Sequence, residues 1–308
     1  MSRLFIEGVL YRHIVLTMPE ILRKTFYQQA QAVLSPFMRC GVRCLEDVFS
    51  RVSDRTLQGG YIVVIQTPGR HGQDNPHLPI IATSGGWDAQ ARQWVHLEYL
   101  PYAMLRKKWQ WHLLTMLRQT VKAQESHRLV HTCYTQYRQG CVTNVQKGDV
   151  LARYQSLARY LATYVVSPPI SLRRIDRYDG QRVTYHYRSH RSERVEWETV
   201  EVYTFIGRMM QHVFPKGFQR IRPYGVQATK TFATLKGLIQ AALAKVKGLV
   251  KGAIEIIAPL TYRQRYQQRT GRDPLKFPHV LQMPDVSANS LDTRWCGILR
   301  GKKRRTRR

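Results

Sequence analysis

Short apolar runs divided by turn signals dominate the first hundred positions. "GVLYRHIVLTMP" (8–19) reads as a strand stopped by Pro19. "PEILRKTFYQQAQAVLSPFM" (19–38) has helical apolar spacing with proline at its start. "GGYIVVIQT" (59–67) is a β-branched run framed by glycine, and "NPHLPIIATSGG" (75–86) is a third strand closed by Ser84-Gly85-Gly86. "ATSGGWDAQARQWVHLEYLP" reads as a turn and then a short strand. From Tyr102 to Val121 the residues Leu105, Trp109, Leu113, Met116, Leu117 and Val121 recur at helical spacing.

The second half is more helical. "VLARYQSLARYLATYVVSPP" predicts a helix ended by Pro168 and Pro169. "RRIDRYDGQRVTYHYRS" predicts a hairpin turning at Asp179-Gly180, and "VEVYTFIGRMMQHVFP" a further helix. From Ala228 to Ile257 a lysine-bearing stretch predicts an amphipathic pair interrupted by glycines. One of its faces would pack on the core or meet DNA. After Pro284 the sequence turns polar, and seven of the last nine residues are basic, as in a disordered cationic tail. There is no internal repeat.

Charge changes this picture. The chain has 308 residues, 43% of them hydrophobic, so it can bury a sizeable core. Lys and Arg number 49 against 20 acidic residues, a formal net charge of +29. Self-repulsion on that scale opposes compaction, so a polyanionic partner is expected, nucleic acid before an anionic membrane surface or ribosomal RNA. No segment is apolar for long enough to span a bilayer, and the N-terminus is too charged for a signal peptide. Five cysteines, an odd count without disulfide spacing, fit a reducing cytoplasm. Cys40 and Cys44, with no histidine nearby, read as ordinary thiols.

Two features carry candidate chemistry. Tyr160 and Tyr164 lie four apart, on one face of their helix, where two aromatics commonly do no more than pack. A tyrosine oxygen can also attack a phosphodiester and keep the bond energy in a covalent phosphotyrosine. His77 and Pro79, two apart, share a face of their strand, although a proline there removes a ladder hydrogen bond and belongs at an edge or bulge. Arg159 and Arg173 lie close to the tyrosine pair in sequence.

Taken together, "YLATYVVSPPIS", "NPHLPIIATSGG", "HIVLTMPEILR" and "FPKGFQRIRPYGV" resemble the two-tyrosine rolling-circle insertion-sequence transposases of the histidine–hydrophobic–histidine (HUH) endonuclease superfamily. The likeness runs from about Gly8 to Pro278. It implies an α+β fold: a nuclease core with a central antiparallel sheet flanked by helices over 1–225, a basic helical extension over 226–283 and a disordered tail over 284–308. The hairpin and helices after Ser167 would extend that core. The resemblance also implies nicking and rejoining of single-stranded element termini in the cytoplasm, at the nucleoid, with no membrane or small-molecule substrate.

By the same resemblance Tyr160 and Tyr164 are the nucleophiles, His77 is the first histidine of a Mg²⁺ or Mn²⁺ site, and Gln66 is the candidate further ligand, ahead of His13. Pro79 stands where the family has its second histidine, which predicts a weakened site and impaired nicking. The alternative is an inactive DNA-binding remnant. Arg159, Arg173, Arg174, Lys245, Lys302, Lys303, Arg304 and Arg305 are the candidate DNA contacts. The zinc-binding segments of relatives are expected to be missing, both before the first strand and at "DPLKFPHV", where Phe277 and Val280 replace a cysteine pair. A shifted reading frame near residue 276 would account for the second loss.

Overall fold

A computed structural model describes residues 5–69, 72–145, 168–189 and 192–256, the last eleven by their backbone alone. The chain divides into two units, Met1–Lys251 and Gly252–Arg308, and the architecture below is that of the first. Tyr160, Tyr164 and Arg159, together with Lys302, Lys303, Arg304 and Arg305, lie outside the described residues.

The central sheet is antiparallel. It contains β1 (Tyr11–Thr17), β2 (Leu57–Val64), β3 (Gln66–Pro68), β4 (Asp74–Asp88), β5 (Gln93–His96), β6 (Thr143–Val145) and β10 (Ile221–Gly225). Its order is β10-β2-β4-β1-β6, with β3 and β5 added along β4. Alternation along the strands makes two faces. Ile14, Leu16, Tyr61, Val63, Leu78, Ile80 and Ala82 share one face and are buried there under the helical layer. Tyr11, Ile62, Val64 and Ile81 point the other way and join Phe5, Ile6, Val9, Val226 and Ile239 in a second, smaller core.

Four helices follow the first strands: α1 (Arg23–Gln28), α2 (Ala30–Ser53), α3 (Tyr102–Thr120) and α4 (Ala123–Gln136). The predicted helix over 19–38 is broken near Gln29 and then runs on to Ser53, with Pro36 inside it. Gly41 lets α2 approach the sheet closely. A methyl group there would lie 2.9 Å from a Leu78 Cδ and 3.3 Å from one of Ile80. On the outer side Asp47 of α2 takes Lys108 Nζ at 2.7 Å and His112 Nε2 at 3.2 Å from α3. Cys40 and Cys44 are buried on α2 as free thiols, pushed up in pKa by loss of solvent.

Several expectations need correcting. Ser84-Gly85-Gly86 is not a turn: β4 runs through it as one 15-residue strand and turns only after Asp88. Gly85 has φ of 132°, and a side chain there would strike the Val95 carbonyl of β5, so the glycines serve a close strand contact rather than a reversal. The hairpin after Ser167 does not extend the central sheet. Its strands β7 (Ile175–Tyr178) and β8 (Arg182–Arg188) join β9 (Val195–Glu201) in a separate three-stranded sheet. The helix expected from Val200 begins only at Val202, as α5 (Val202–Met210), because Val200 and Glu201 finish β9. The lysine-bearing stretch is one helix, α6 (Thr229–Ile256), whose glycines cost helix stability without ending it. Ile239 is fully buried on it, and Phe232 and Leu235 pack beside it under the second core.

Candidate active site

His77, Pro79 and Ile81 face the same way on β4, and their register partners on β1 are Thr17, Val15 and His13. Gln66 of β3 lies directly opposite His77, and Asn144 of β6 opposite Val15. These side chains therefore share the sheet face that, among the described residues, the second core covers at its far end. The exposure falls from Asn144, which is open, through half-buried Gln66, Thr17 and His77, to buried Pro79 and His13.

His77 is held from both sides. Its Nδ1 lies 2.7 Å from the Asn75 carbonyl and its Nε2 lies 3.1 Å from Gln66 Oε1. A ring that donates from Nδ1 to a carbonyl keeps a lone pair on Nε2, the arrangement of a metal-ligating imidazole. The contact with Gln66 is then either a bond from the amide turned to present its NH₂, or two lone pairs facing a common cation. Protonation is the disfavoured solution, because burial pulls the His77 pKa below its ordinary value despite the Asn75 bond. Burial, with the nearby charge of a protonated His77, takes His13 down to about 4.

Pro79 sits in the second surprise of this face. It lies in a central strand, between β1 and β2, rather than at an edge. Counting the antiparallel alternation from the Ser84 amide, which donates to Leu10 at 2.8 Å, residue 79 turns its amide side toward β2 and β3. There the ladder is interrupted: it runs to Val63–Ile80 and resumes in the same register at Gln66–His77, skipping the rung where Val64 would meet Pro79. The missing N–H thus falls where no ladder bond is made, and the split between β2 and β3 has a cause in the sequence.

As a metal centre the donor set is right in kind and short in number. Imidazole nitrogen and amide oxygen suit a divalent cation, yet proline offers no lone pair. Among the described residues no group of three or more His, Cys, Asp or Glu could hold a metal ion. His13 is on the same face, but its register partner is Ile81, two steps beyond Pro79.

Of the other predicted residues, Arg173 is exposed in the turn before β7. Arg174 is half-buried there and donates from Nε to the His186 carbonyl at 2.8 Å. Lys245 is exposed on α6. Asn75, Thr17 and Asn144 were not anticipated. Asn75 acts through its carbonyl, which any residue has, and the strand that carries Asn144 is three residues long, too short for a periodic signal.

The transposase family described as "Putative transposase" (Y2_Tnp) matches residues 60–233, more than half of the chain. The chain belongs to this family. It is 24% identical over 300 residues to y4qJ of Sinorhizobium fredii, a protein of the same description, covering 92% of this chain and 74% of that one. It is 25% identical over 233 residues to the transposase for insertion sequence element IS801 of Pseudomonas savastanoi pv. phaseolicola, covering 71% of this chain and 55% of that protein. The chain thus spans about three quarters of the first relative and little more than half of the second. No solved structure matches it. The match to the transposase family takes in most of β2 and all of β3 and β4, and therefore both His77 and Pro79. Membership makes it by family a DNA-cleaving and strand-transferring enzyme. Among the described residues no helix is long and apolar enough to cross a membrane.

Proposed function

We propose that this transposase handles the single-stranded ends of a mobile element by the rolling-circle route and that its nicking step is impaired at Pro79. The observation that carries the reading is His77 set against Gln66 across β3 and β4, with a proline where a further donor would complete the set. A divalent cation, were His77 and Gln66 joined by a further donor to hold it, would supply polarisation of the scissile phosphate. The residues present supply too few ligands, so nicking is weak at ordinary metal concentrations. In the step itself a tyrosine oxygen, from Tyr160 or Tyr164, bonds to phosphorus. The P–O3′ bond breaks and the leaving oxygen takes up a proton as a 3′-hydroxyl. The second tyrosine would make the return attack possible without loss of the first end.

The test is incubation of labelled single-stranded terminus DNA with Mn²⁺ and the full chain, resolved on a denaturing gel. The expected result is little covalent adduct from the natural sequence. A strong adduct at ordinary Mn²⁺ concentration would overturn the role given to Pro79. The second reading, a DNA-binding remnant without catalysis, is favoured by the same proline. It predicts a mobility shift with no adduct, even after the ligand is restored.

A further inference from the structure

The stretch "FPKGFQRIR" (214–222) takes no part in the His77 site. It leads from α5 into β10, the edge strand of the central sheet. A turn closes its first half: the Phe218 amide donates to the Pro215 carbonyl at 3.0 Å, and Gly217 has a φ of 77°, which glycine adopts without steric cost. The turn brings the rings of Phe214 and Phe218 nearly parallel, 9° apart in plane and 5.4 Å between centroids. Arg220 lies over Phe214 at 5.1 Å, and Arg222 lies over Phe218 at 5.2 Å. Ile221 between them packs on the second core, so the two arginines face the other way, toward α2. There Arg222 Nη2 donates to Ser35 Oγ at 3.0 Å.

Both guanidinium groups are short of partners. Arg220 is half-buried yet makes no hydrogen bond or ion pair among the described residues, and its Nε is shut off from solvent. Arg222 has the bond to Ser35 alone, and its Nε is likewise buried and unmet. Buried donors normally find a partner, and a half-buried cation calls for an anion. No carboxylate of the fold answers. Residues 211–225 contain none. On the flanking elements, Asp74 feels the charge of Arg23 and Glu46 that of Arg43, and neither feels Arg220 or Arg222. Asp47 is engaged by Lys108 and His112. Lys216, in the turn, and Arg39, one helical turn beyond Ser35, are exposed and make no ion pair among the described residues.

From this we infer that Arg220 and Arg222 form a clamp for the phosphodiester backbone of DNA, with Lys216 and Arg39 as flanking contacts. The planar fork of a guanidinium meets two phosphate oxygens at once, and its faces can rest on an aromatic ring while it does so. Stacking on Phe214 and Phe218 holds each fork in place beforehand, so less side-chain freedom is lost when the phosphate arrives. Four cations without a carboxylate among them suit a polymer of repeated negative charge, and DNA is the polyanion on which a transposase acts. Edge strands also carry charged residues and proline merely to repel other strands, but that purpose does not call for arginines stacked on rings with their Nε atoms buried. The clamp is on the helical side of the sheet, the face opposite His77, and does not depend on the nicking chemistry.

The experiment is fluorescence anisotropy with the full chain and a labelled oligonucleotide of arbitrary sequence, single-stranded and as a duplex, over a range of salt without divalent metal. Arg220→Gln together with Arg222→Gln should weaken binding about tenfold or more at low salt, two charge-assisted contacts being lost. The slope of log affinity against log salt should fall by about 1.4 for the single strand or about 1.8 for the duplex. A loss seen with either form supports the clamp. Arg220→Lys together with Arg222→Lys should keep the slope and lose part of the affinity, because an ammonium keeps the charge without the fork. Arg128→Gln together with Arg138→Gln, exposed cations at α4 and just beyond it, should leave binding within about twofold. Urea denaturation checks that each variant is folded. If the glutamine pair is not, Lys216→Gln together with Arg39→Gln, both at exposed positions, should show the same fall in slope on a folded chain. The inference is overturned if the folded variants bind both forms with unchanged affinity and slope, or if the α4 pair loses as much.

Discussion

His77 Nε2 and Gln66 Oε1 face each other at 3.1 Å across a directly opposed pair of strand residues, while the His77 Nδ1 is anchored at 2.7 Å on the Asn75 carbonyl. Both partners are fixed by backbone register rather than by loop conformation, so on the proposed reading the side chain at 79 is the component to restore. We predict that Pro79→His gives Mn²⁺-dependent covalent adduct where the natural chain gives little, and that Pro79→Ala does not. Adding Tyr160→Phe together with Tyr164→Phe should abolish the restored adduct. A denaturing gel reads all three. Equal adduct from Pro79→His and Pro79→Ala would show that the proline matters only for backbone shape.

Gln66 should matter only once the histidine is back. In the Pro79→His background, Gln66→Ala should raise the Mn²⁺ concentration needed for half-maximal adduct by about tenfold or more, since even indirect partners of a metal are worth roughly 10–100-fold. In the natural chain the same change should leave DNA binding untouched. A metal titration unaffected by Gln66→Ala would remove Gln66 from the donor set.

Much of this was legible in the sequence, for reasons that differ from residue to residue. His77 and Gln66 rest on the family resemblance, which implies a histidine strand and a further ligand from a neighbouring strand; the residues alone give two β-rich runs and no pairing between them. The core strands were found because their apolar residues are continuous. By contrast, "VEWETVE" alternates apolar with charged residues, the period of a strand, while its last two residues also open the helical run from Val200. The second sheet forms because β9 closes on β8 over seven opposed pairs, the next strand in the chain turning back on the hairpin. The continuation of β4 through Ser84-Gly85-Gly86 was hidden for the opposite reason. Glycines that usually signal a turn are here required by the approach of Val95.

Gly41 makes a structural prediction. Its open side is the seat of Leu78, Ile80 and Leu16, whose Cδ atoms lie 2.9 to 3.4 Å from the position of a first side-chain carbon. Gly41→Val would force α2 away from β4 and β1, at roughly 1–3 kcal/mol for overpacking. Urea denaturation should show that loss. Gly41→Ala should cost less, since the nearest obstacle is the free end of a leucine. Equal stability of Gly41→Val and the natural chain would mean that α2 does not rest on these strands.

The basic tail predicts a salt effect. Replacing Lys302, Lys303, Arg304 and Arg305 with serine should reduce the slope of log affinity against log salt for single-stranded DNA by about 3, at about 0.7 per cation engaged. An unaltered slope in the tail variant would assign the charge effect to the other basic residues of the chain.

His13 sets the acid side of stability. Its pKa is about 4 in the folded chain, against an ordinary value of 6.5, because the buried ring is desolvated and lies near His77. The unfolded chain therefore takes up the proton first as pH falls. The contribution is complete above about pH 6.5, is lost progressively toward pH 4, and amounts to on the order of 3 kcal/mol. The lowered pKa of His77 acts in the same direction. His13→Asn removes the titrating group while keeping a polar side chain on β1. Urea denaturation at pH 7 and again near pH 4.5 should show a smaller drop for His13→Asn than for the natural chain, even though the variant starts lower at pH 7. Identical drops would mean that His13 is solvated enough to protonate in place, and the buried end of the candidate site would then be wet.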